Sequence, residues 1–276
     1  MAIITLTTDF GTKDYFVAAI KGRILSQIPD ATVVDISHNI SPFDVYECAY
    51  ILKNAYVEFP KGTIHLVGLE SEWSPENEHV LALINGHYFI CADNGLLSII
   101  LSDKKPEKIN RLTLPNAAPH PFPELEVFTK VACHLARGGK AEVVSQPLQK
   151  LKEIKVIEPR LANNGATIIG HVIYVDHLGN VVTDITKSLF EAYRNGRQFE
   201  LIVRHHKLHV IFNTYIELVN FDQPKNQRRR PGDFLGLFNA SGHLELALFK
   251  SDLKTVGGAS SLIGLKRQDM ITINFL

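Results

Sequence analysis

The chain has few cysteines, one tryptophan and no net charge. Its 276 residues include three cysteines, two methionines, and 29 basic against 29 acidic side chains. Cys48, Cys91 and Cys133 are odd in number, widely spaced and set in apolar surroundings. Such a pattern is typical of buried thiols in a reducing compartment and excludes a disulfide framework or a CxxC metal or redox site.

The zero formal charge also argues against a protein that binds nucleic acids, because neutralising phosphates requires a basic surface. One basic run, Arg228-Arg229-Arg230, lies beside Pro231-Gly232 and is interpreted as an exposed loop. No apolar run approaches the roughly 18 residues of a membrane helix, and the chain opens with a strand rather than a signal peptide. We therefore expect a cytoplasmic protein that binds neither nucleic acid nor membrane.

Length and hydrophobic periodicity predict two domains. The chain exceeds the usual domain size of about 100–200 residues. Strands at residues 3–6, 32–36 and 63–69 alternate with helical patterns at 15–24 and 44–58, which predicts an α/β domain with a mostly parallel sheet. A hairpin around Asn85-Gly86 and a helix at 127–137 follow, while residues 103–123 resemble an exposed excursion.

Beyond an irregular stretch at 142–165, the pattern becomes all-β. Short strands are predicted at 167–176, 199–204, 208–212, 234–239, 244–249 and 270–275, with one helix near 186–195. This pattern favours a small barrel or sandwich. The predicted domains are residues 1–155 and 166–276.

Two polar clusters follow strands and are candidate sites. In the first, Asp9 and Asp14 with three threonines could hold the hydroxyls of a sugar at the carboxyl end of a strand. Asp14 could instead be only a helix N-cap and Asp9 only a turn former. In the second, at residues 174–184, Asp176 could pair with an amino group and Asn180 could bind a polar ligand, with Gly179 permitting close backbone approach. The alternative there is a β-turn whose Asp and Asn bond only their own backbone.

The histidines at positions 205, 206 and 209 are interpreted as exposed strand or turn residues rather than metal ligands, since no carboxylate partner lies near them in sequence. No metal site is expected.

The chain carries an ordered set of segments that resembles the S-adenosylmethionine (SAM) hydroxide adenosyltransferase family, which also includes the SAM-dependent fluorinase and chlorinase. The segments are Thr7-Thr8-Asp9-Phe10-Gly11, Asp14, Lys21-Gly22, Asp35-Ile36-Ser37-His38, Pro42-Phe43-Asp44, Phe59-Pro60-Lys61-Gly62-Thr63-Ile64-His65, Ala92-Asp93-Asn94-Gly95-Leu96-Leu97, Tyr174-Val175-Asp176-His177-Leu178-Gly179-Asn180-Val181 and Asn239-Ala240-Ser241-Gly242.

The resemblance implies an N-terminal α/β domain, a C-terminal β-barrel and a homotrimer that binds SAM between N- and C-terminal domains of adjacent subunits. The implied reaction is attack of a water-derived hydroxide on the ribose C5′ of SAM, giving adenosine and methionine. Sulfonium is a good neutral leaving group, so the reaction would require no metal and no cofactor beyond SAM itself. Catalysis would depend on placing and desolvating the nucleophile.

The resemblance also assigns roles to residues. Asp9 would hold the ribose hydroxyls, Phe43 would line the adenosyl pocket and Asp176 would pair with the methionine ammonium. Asn180 and Leu178 would contact adenine or ribose, and Ser241 would approach the methionine carboxylate. Trp73 could stack on adenine or plug the pocket. The substrate-binding candidates are therefore Asp9, Asp14, Phe43, Trp73, Phe122, Asp176, Leu178, Asn180 and Ser241.

The chain departs from the family where the water would bind. Hydrolase members carry an Asp in an Asp-Pro-Gly-Val-Gly turn, an Arg shortly after it, and a His in a Phe-His-Gly-Arg-Asp segment. Here Glu70 replaces the Asp, Asn77 or His79 occupies the region of the Arg, and Pro123 replaces the His. Proline offers no side-chain donor or acceptor.

Glu70 with His79 is the candidate catalytic pair, and Glu124 is an alternative carboxylate. Three functions remain open: an altered SAM hydrolase, a catalytically silent SAM- or adenosine-binding protein, and adenosyl transfer to another nucleophile.

Overall fold

The computed structural model describes residues 2–102, 104–114, 120–228, 231–254 and 257–276. Arg229 and Arg230 of the basic run lie outside these ranges. The chain forms two compact units, Met1–Lys155 and Val156–Leu276.

The first unit alternates strands and helices. Its strands are β1 (Ile3–Thr8), β2 (Thr32–Ser37), β3 (Ile64–Gly68), β4 (His79–Ile84), β5 (His87–Ala92), β6 (Lys108–Leu112) and β7 (Ser145–Pro147). Its helices are α1 (Phe16–Gln27), α2 (Val45–Tyr56), α3 (Leu96–Leu101) and α4 (Thr129–Ala136), and a π-helical turn, Glu124–Phe128, precedes α4.

Within the described residues these strands form one mixed sheet in the order β2-β1-β3-β5-β4-β6-β7. Strands β2, β1, β3 and β5 are parallel, and β5, β4, β6 and β7 are antiparallel. The helical crossovers after β1 and β2 allow parallel pairing, whereas the tight Asn85-Gly86 turn, with both residues at positive φ, joins the antiparallel pair β4 and β5. The predicted hairpin is confirmed.

Helices cover both faces of this sheet. Along β3, Ile64 and Leu66 pack into a core with α1 and α4, while Val67 packs into a second core with α2 and α3. Successive strand side chains point to opposite faces, so a strand covered on both sides is a nearly continuous apolar run, which the buried His65 interrupts in β3. The buried run of β3 is the sequence signature of that arrangement.

Two strands of the first unit were not predicted. Strand β6 lies inside the supposed excursion at 103–123, and β7 lies in the stretch interpreted as irregular. Both are short strands with polar residues near the edge of the sheet, where burial imposes little apolar alternation. The prediction of an excursion is therefore wrong for residues 108–112.

The second unit is a nearly closed antiparallel, barrel-like sheet, which confirms the predicted fold class together with the first unit. Its strands are β8 (Arg160–Ala162), β9 (Thr167–Val175), β10 (Val181–Thr186), β11 (Phe199–Val203), β12 (His206–Leu208), β13 (Phe234–Phe238), β14 (His243–Leu248) and β15 (Met270–Phe275); its helices are α5 (Lys187–Arg194) and α6 (Ala259–Leu262). The order in the described part is β12-β11-β15-β9-β10-β14-β13, with β8 paired to β9.

Helix α5 closes the core of the second unit. The ring of Phe190 lies 5.1 Å from that of Phe199, 5.4 Å from Phe238 and 5.8 Å from Phe275, measured between centroids. The strand predicted at 208–212 instead occupies His206–Leu208, because β11 and β12 form a tight hairpin that turns at Arg204 and His205. No helix in the described residues is long and apolar enough to cross a bilayer.

Candidate functional site

A cavity of about 700 Å³ lies in the first unit, within the size range of small-molecule sites. Its lining comes from the segments that follow β1, β2, β3, β5 and β7, and from the segment leading into the π-helical turn. The lining residues are Asp9, Phe10, Phe16, Phe43, Glu70, Ser71, Glu72, Trp73, Ser74, Glu76, Asn77, Asn94, Pro121, Phe122, Pro123, Glu124 and Lys152. The cavity therefore occupies the carboxyl edge of the parallel strands, where open α/β sheets bind ligands.

Asp9 connects two of the loops. Its Oδ2 accepts a hydrogen bond from the backbone N–H of Phe43 at 3.0 Å. Phe43 has φ +63° and exposes 69% of its surface, an unusual combination for a bulky residue. Backbone strain of this kind concentrates at functional sites.

Aromatic rings form one wall of the cavity. The centroids of Phe16 and Phe122 are 5.3 Å apart with perpendicular planes, and Phe10 lies 5.5 Å from Phe16 and 5.9 Å from Phe122. Trp73 lies on the lining with 45% of its surface exposed. This wall offers flat apolar surfaces to a ring-shaped ligand.

The loop after β3 folds along the cavity. Glu70 is exposed on the lining and has φ +46°, so it is the second lining residue that is left-handed without being glycine. Asn77 fixes the loop, since its Nδ2 donates to the carbonyl oxygens of Glu70 at 2.7 Å and Glu72 at 2.9 Å. Asn94 supports the start of the same loop by donating to the carbonyl of Leu69 at 3.0 Å.

His79 lies behind this loop and is not among the lining residues. Its Nε2 donates to the carbonyl of Ser71 at 2.8 Å, and its ring packs edge-on against Phe128. Burial lowers the pKa of His79, so the ring stays neutral at physiological pH. The structure thus brings Glu70 to the cavity but does not pair it with His79.

Asp14 is exposed, and it neither lines the cavity nor caps α1. The N-cap of α1 is Tyr15, which makes no side-chain capping hydrogen bond. The alternative role of Asp14 as a cap is therefore wrong, and its role as a sugar ligand stays a prediction.

Glu124 projects into the cavity wall from the first residue of the π-helical turn and is 3% exposed. A Cβ atom built on Gly68, the last residue of β3, would lie 2.9 Å from Cγ and 3.1 Å from Oε1 of Glu124. Burial raises the pKa of Glu124, and the nearby Asp9 charge raises it further. The side chain of Ser71 opposes the rise in pKa, although Ser71 Oγ makes no hydrogen bond of good geometry within the described residues.

The lining is acidic. Its carboxylates are Asp9, Glu70, Glu72, Glu76 and Glu124, and Lys152 is the basic side chain among its described residues. The backbone N–H of Lys152 donates to both carboxyl oxygens of Asp93 at 3.0 Å, which fixes the lysine beside the end of β5. Such a cavity favours a cationic ligand.

In the second unit, Asp176 and Asn180 form a tight turn. Asp176 Oδ1 accepts from the backbone N–H groups of Leu178 at 2.9 Å and Asn180 at 2.8 Å, and Oδ2 accepts from the Asn180 side chain at 2.9 Å. Leu178 is 41% exposed. Gly179 lies close to other parts of the chain, since a Cβ there would meet the Cα of Gly258 at 3.0 Å, and its approach to a ligand stays a prediction.

A hydrogen-bond network joins this turn to Ser241. The Asn180 side chain donates to the Tyr215 hydroxyl at 3.2 Å, and that hydroxyl donates to Glu245. Glu245 also accepts from the side chain of Asn239 at 3.1 Å, whose Oδ1 accepts from the Ser241 hydroxyl at 2.7 Å. Three predicted ligand residues thus belong to one network.

Sequence reasoning missed Tyr215, Glu245, Asn94 and Lys152. Asn94 was part of a recognised segment and could have been selected. Tyr215 and Glu245 carry no local signal, because 30 residues and a change of strand separate them.

Two family models match this chain. The SAM hydroxide adenosyltransferase N-terminal domain matches residues 4–145, and the C-terminal domain of the same family matches residues 170–272. The chain belongs to the SAM hydroxide adenosyltransferase family. The resemblance seen in the sequence is confirmed.

The chain is similar in sequence to SAM hydrolases and fluorinases over most of its length. A protein of Methanocaldococcus jannaschii named (R)-S-adenosyl-L-methionine hydrolase is 28% identical over 98% of this chain and 95% of its own length. A fluorinase of Actinoplanes sp. is 26% identical over 72% of this chain and 76% of its own length. A crystal structure of an uncharacterized conserved protein from Thermotoga maritima shares the fold, with a TM-score of 0.81 at 24% identity over 99% of this chain and 100% of that one.

Proposed function

We propose that this protein hydrolyses SAM to adenosine and methionine. The acidic cavity at the carboxyl ends of the parallel strands is the observation that carries the proposal. SAM bears a sulfonium and an ammonium against one carboxylate, so it is a net cation that such a cavity attracts. The aromatic wall suits the adenine, and Asp9, which lies on the same lining, is the candidate ligand of the ribose hydroxyls.

The same charge favours water over a halide ion as nucleophile. Five lining carboxylates would repel an approaching anion, whereas neutral water pays no such electrostatic penalty. The relatives named hydrolase, rather than the fluorinases, are therefore the better guide to the reaction.

We further propose that the protein is a homotrimer in which three residues of the second unit bind SAM held by an adjacent subunit. Asp176 and Ser241 would bind the methionine part, and Asn180 would contact the adenine or ribose. The network through Tyr215 and Glu245 supports this assignment, because it orients all three side chains together. Sedimentation velocity tests the trimer. Mixing Asp9→Ala subunits with Asp176→Ala subunits tests whether two subunits share each site. If they do, each variant alone is inactive, and mixed trimers regain activity where two intact halves meet.

The function is tested by incubating purified protein with SAM and following adenosine and methionine by chromatography with mass detection. A blank without protein is required because SAM decays spontaneously. Adenosine above the blank, formed equally with and without added fluoride or chloride, supports hydrolysis. A halogenated nucleoside in place of adenosine would contradict it.

The second candidate is a catalytically silent SAM- or adenosine-binding protein. It is favoured by the lining itself, which has neither Arg nor His among its described residues. Calorimetry decides between the two: SAM binding without adenosine means a silent protein. Absence of binding and of adenosine would contradict both.

A further inference from the structure

We propose that the carboxylate of Glu124 accepts the proton of the attacking water. This inference rests on the proposed SAM hydrolysis and adds the identity of the base. It assigns the chemistry to the residue that follows Pro123, whose own side chain has no donor or acceptor.

The first argument is position. In the register of the sheet Thr8 pairs with Gly68, so β1 and β3 end side by side. The Glu124 carboxyl lies directly against Gly68, in the space that a side chain there would fill. It therefore sits at the centre of the carboxyl edge, between the turn of Asp9 and the loop of Ser71.

The second argument is that no basic side chain is paired with Glu124 in the described residues. Within the described residues Glu124 makes no ion pair, although it is almost fully buried. A buried carboxyl that serves only the fold is normally paired with a cation or fully hydrogen-bonded, because desolvation is otherwise costly. The Ser71 hydroxyl beside it also has no well-formed hydrogen bond among these residues. The Ser71 side chain acts directly on the Glu124 carboxyl and lowers its pKa, so the two groups form a polar pair in the cavity wall that can bind a water molecule.

The third argument is backbone geometry. Glu124 begins a π-helical turn that continues into α4. Single π turns are frequent at functional sites. Two residues along the same turn, Glu126 instead forms ion pairs with Arg23 at 3.1 Å and Lys130 at 3.5 Å. The two glutamates of one turn thus have different surroundings.

The competing groups are less suitable. Glu70 is exposed, so its carboxylate is in contact with bulk solvent rather than held in the cavity wall. His79 lies outside the lining and already donates to Ser71. Glu70 is better suited to orient water at the mouth of the cavity.

The step balances without any other reactant. The water oxygen bonds to C5′ as the C5′–S bond breaks, and its electron pair stays on sulfur to give the thioether of methionine. One water proton passes to Glu124 and is later released to solvent. The products are adenosine, methionine and one proton.

The charged neighbours are consistent with a base that works near neutral pH. Asp9 is the charged group that acts on Glu124, and it raises the pKa together with burial. Arg23 on α1 and Lys130 on α4 are engaged by Glu126. On β3, His65 is hydrogen-bonded to Thr5 at 2.7 Å, and burial lowers its pKa to about 3, so it adds no positive charge.

The test compares Glu124→Gln with Glu126→Gln, a matched change two residues away in the same turn. We expect Glu124→Gln to lower kcat for adenosine formation at least about 100-fold while the calorimetric Kd for SAM changes little. Glu126→Gln should keep nearly full activity. The kcat of the wild type should fall on the acidic side with an apparent pKa above the ordinary range of glutamate. Glu70→Gln should show the same acidic fall in kcat.

The outcomes separate this inference from the proposed function. If the wild-type protein forms no adenosine, the function fails and the inference with it. If the wild type is active and folded Glu124→Gln is equally active, only the inference is overturned. If Glu124→Gln does not fold, the wild-type profile decides: a kcat with no acidic limb above the ordinary range of glutamate overturns the proposal.

Discussion

The carboxylate of Asp9 holds Phe43 in a left-handed backbone conformation with its ring exposed. The hydrogen bond from Phe43 N–H to Asp9 Oδ2 is 3.0 Å long, and Phe43 has φ +63°. A left-handed conformation costs a bulky residue of the order of 1 kcal/mol or more. An exposed ring recovers little of that cost by packing, so packing does not explain the conformation, and we predict that the ring instead contacts a ligand.

We predict that Phe43→Gly leaves the protein as stable or up to about 1 kcal/mol more stable, because glycine adopts positive φ without strain. The same change should weaken SAM binding about tenfold or more, since the ring is lost from the cavity. Thermal unfolding and calorimetry measure the two effects. The control is Val57→Gly, an exposed residue with φ −66° at the end of α2, which should lose about 0.5–1 kcal/mol and keep SAM affinity. A large loss of stability in Phe43→Gly would show that the ring serves the fold.

A second prediction concerns the network of the second unit. Tyr215→Phe removes the donor to Glu245 and the acceptor for Asn180, so a half-satisfied buried carboxyl remains. We expect the free energy of unfolding to fall by about 1–3 kcal/mol. Denaturant unfolding of the full chain measures the change.

The matched control is Tyr193→Phe. The Tyr193 hydroxyl makes no hydrogen bond to the described residues, so its loss should change stability by less than about 0.5 kcal/mol. Equal effects of the two substitutions would mean that the network contributes nothing to stability.

How much of this could be predicted from the sequence differs between the fold and the site. The alternation of β1, α1 and β2 was predictable, because buried strands and amphipathic helices impose clear apolar periods. Strand β7 has only three residues and ends in Pro147, so no period could develop. Strand β7 is defined by its pairing with the distant strand β6, and a local sequence pattern does not encode that pairing.

In the site, Asp9, Phe43 and Glu70 could be expected together, since each follows a strand of one parallel sheet. The placement of Glu124 could not be predicted. A π turn inserts a residue into the helical ladder and rotates what precedes it, and no residue type signals that turn. Spacing alone could not show whether Glu124 or Glu126 reaches the cavity.

A third prediction concerns acid stability. His65 is buried against His87 and hydrogen-bonded to Thr5, and burial, followed by the His87 charge, lowers its pKa from 6.5 to about 3. Below pH 6.5, His65 binds a proton in the unfolded chain but not in the folded chain. The titration of His65 therefore costs the folded protein no stability above pH 6.5. As the pH falls from 6.5 to 3, His65 alone lowers the free energy of unfolding by about 1.4 kcal/mol per pH unit.

The measurement is denaturant unfolding at several pH values for the wild type and His65→Gln. Glutamine can bond Thr5 but does not titrate, so the slope of stability against pH should become shallower. Comparison of the two proteins at pH about 8 separates lost packing from lost titration. An unchanged slope would mean that His65 is protonated in the folded protein.

The last prediction tests the fit between Gly68 and Glu124. A Cβ at position 68 would lie 2.9 Å from Glu124 Cγ, closer than real contacts allow, and 3.2 Å from Thr8 Cγ2, which is a tight contact. Gly68→Ala should therefore destabilise the protein by about 1–3 kcal/mol and displace the carboxyl. Gly22→Ala on α1 is the control, since nothing lies within 4 Å of its Cβ and alanine favours a helix, so stability should rise by about 0.5–1 kcal/mol.

The double variant Gly68→Ala with Glu124→Asp makes the explanation specific. Aspartate is one methylene shorter and withdraws the atoms that the new Cβ would meet. The double variant should then be more stable than the sum of the single changes by at least about 0.5 kcal/mol, measured as a coupling energy in denaturant unfolding. Additive effects would mean that the alanine Cβ is crowded by Thr8 or by the backbone. The position of the Glu124 carboxyl would then not require a glycine at position 68.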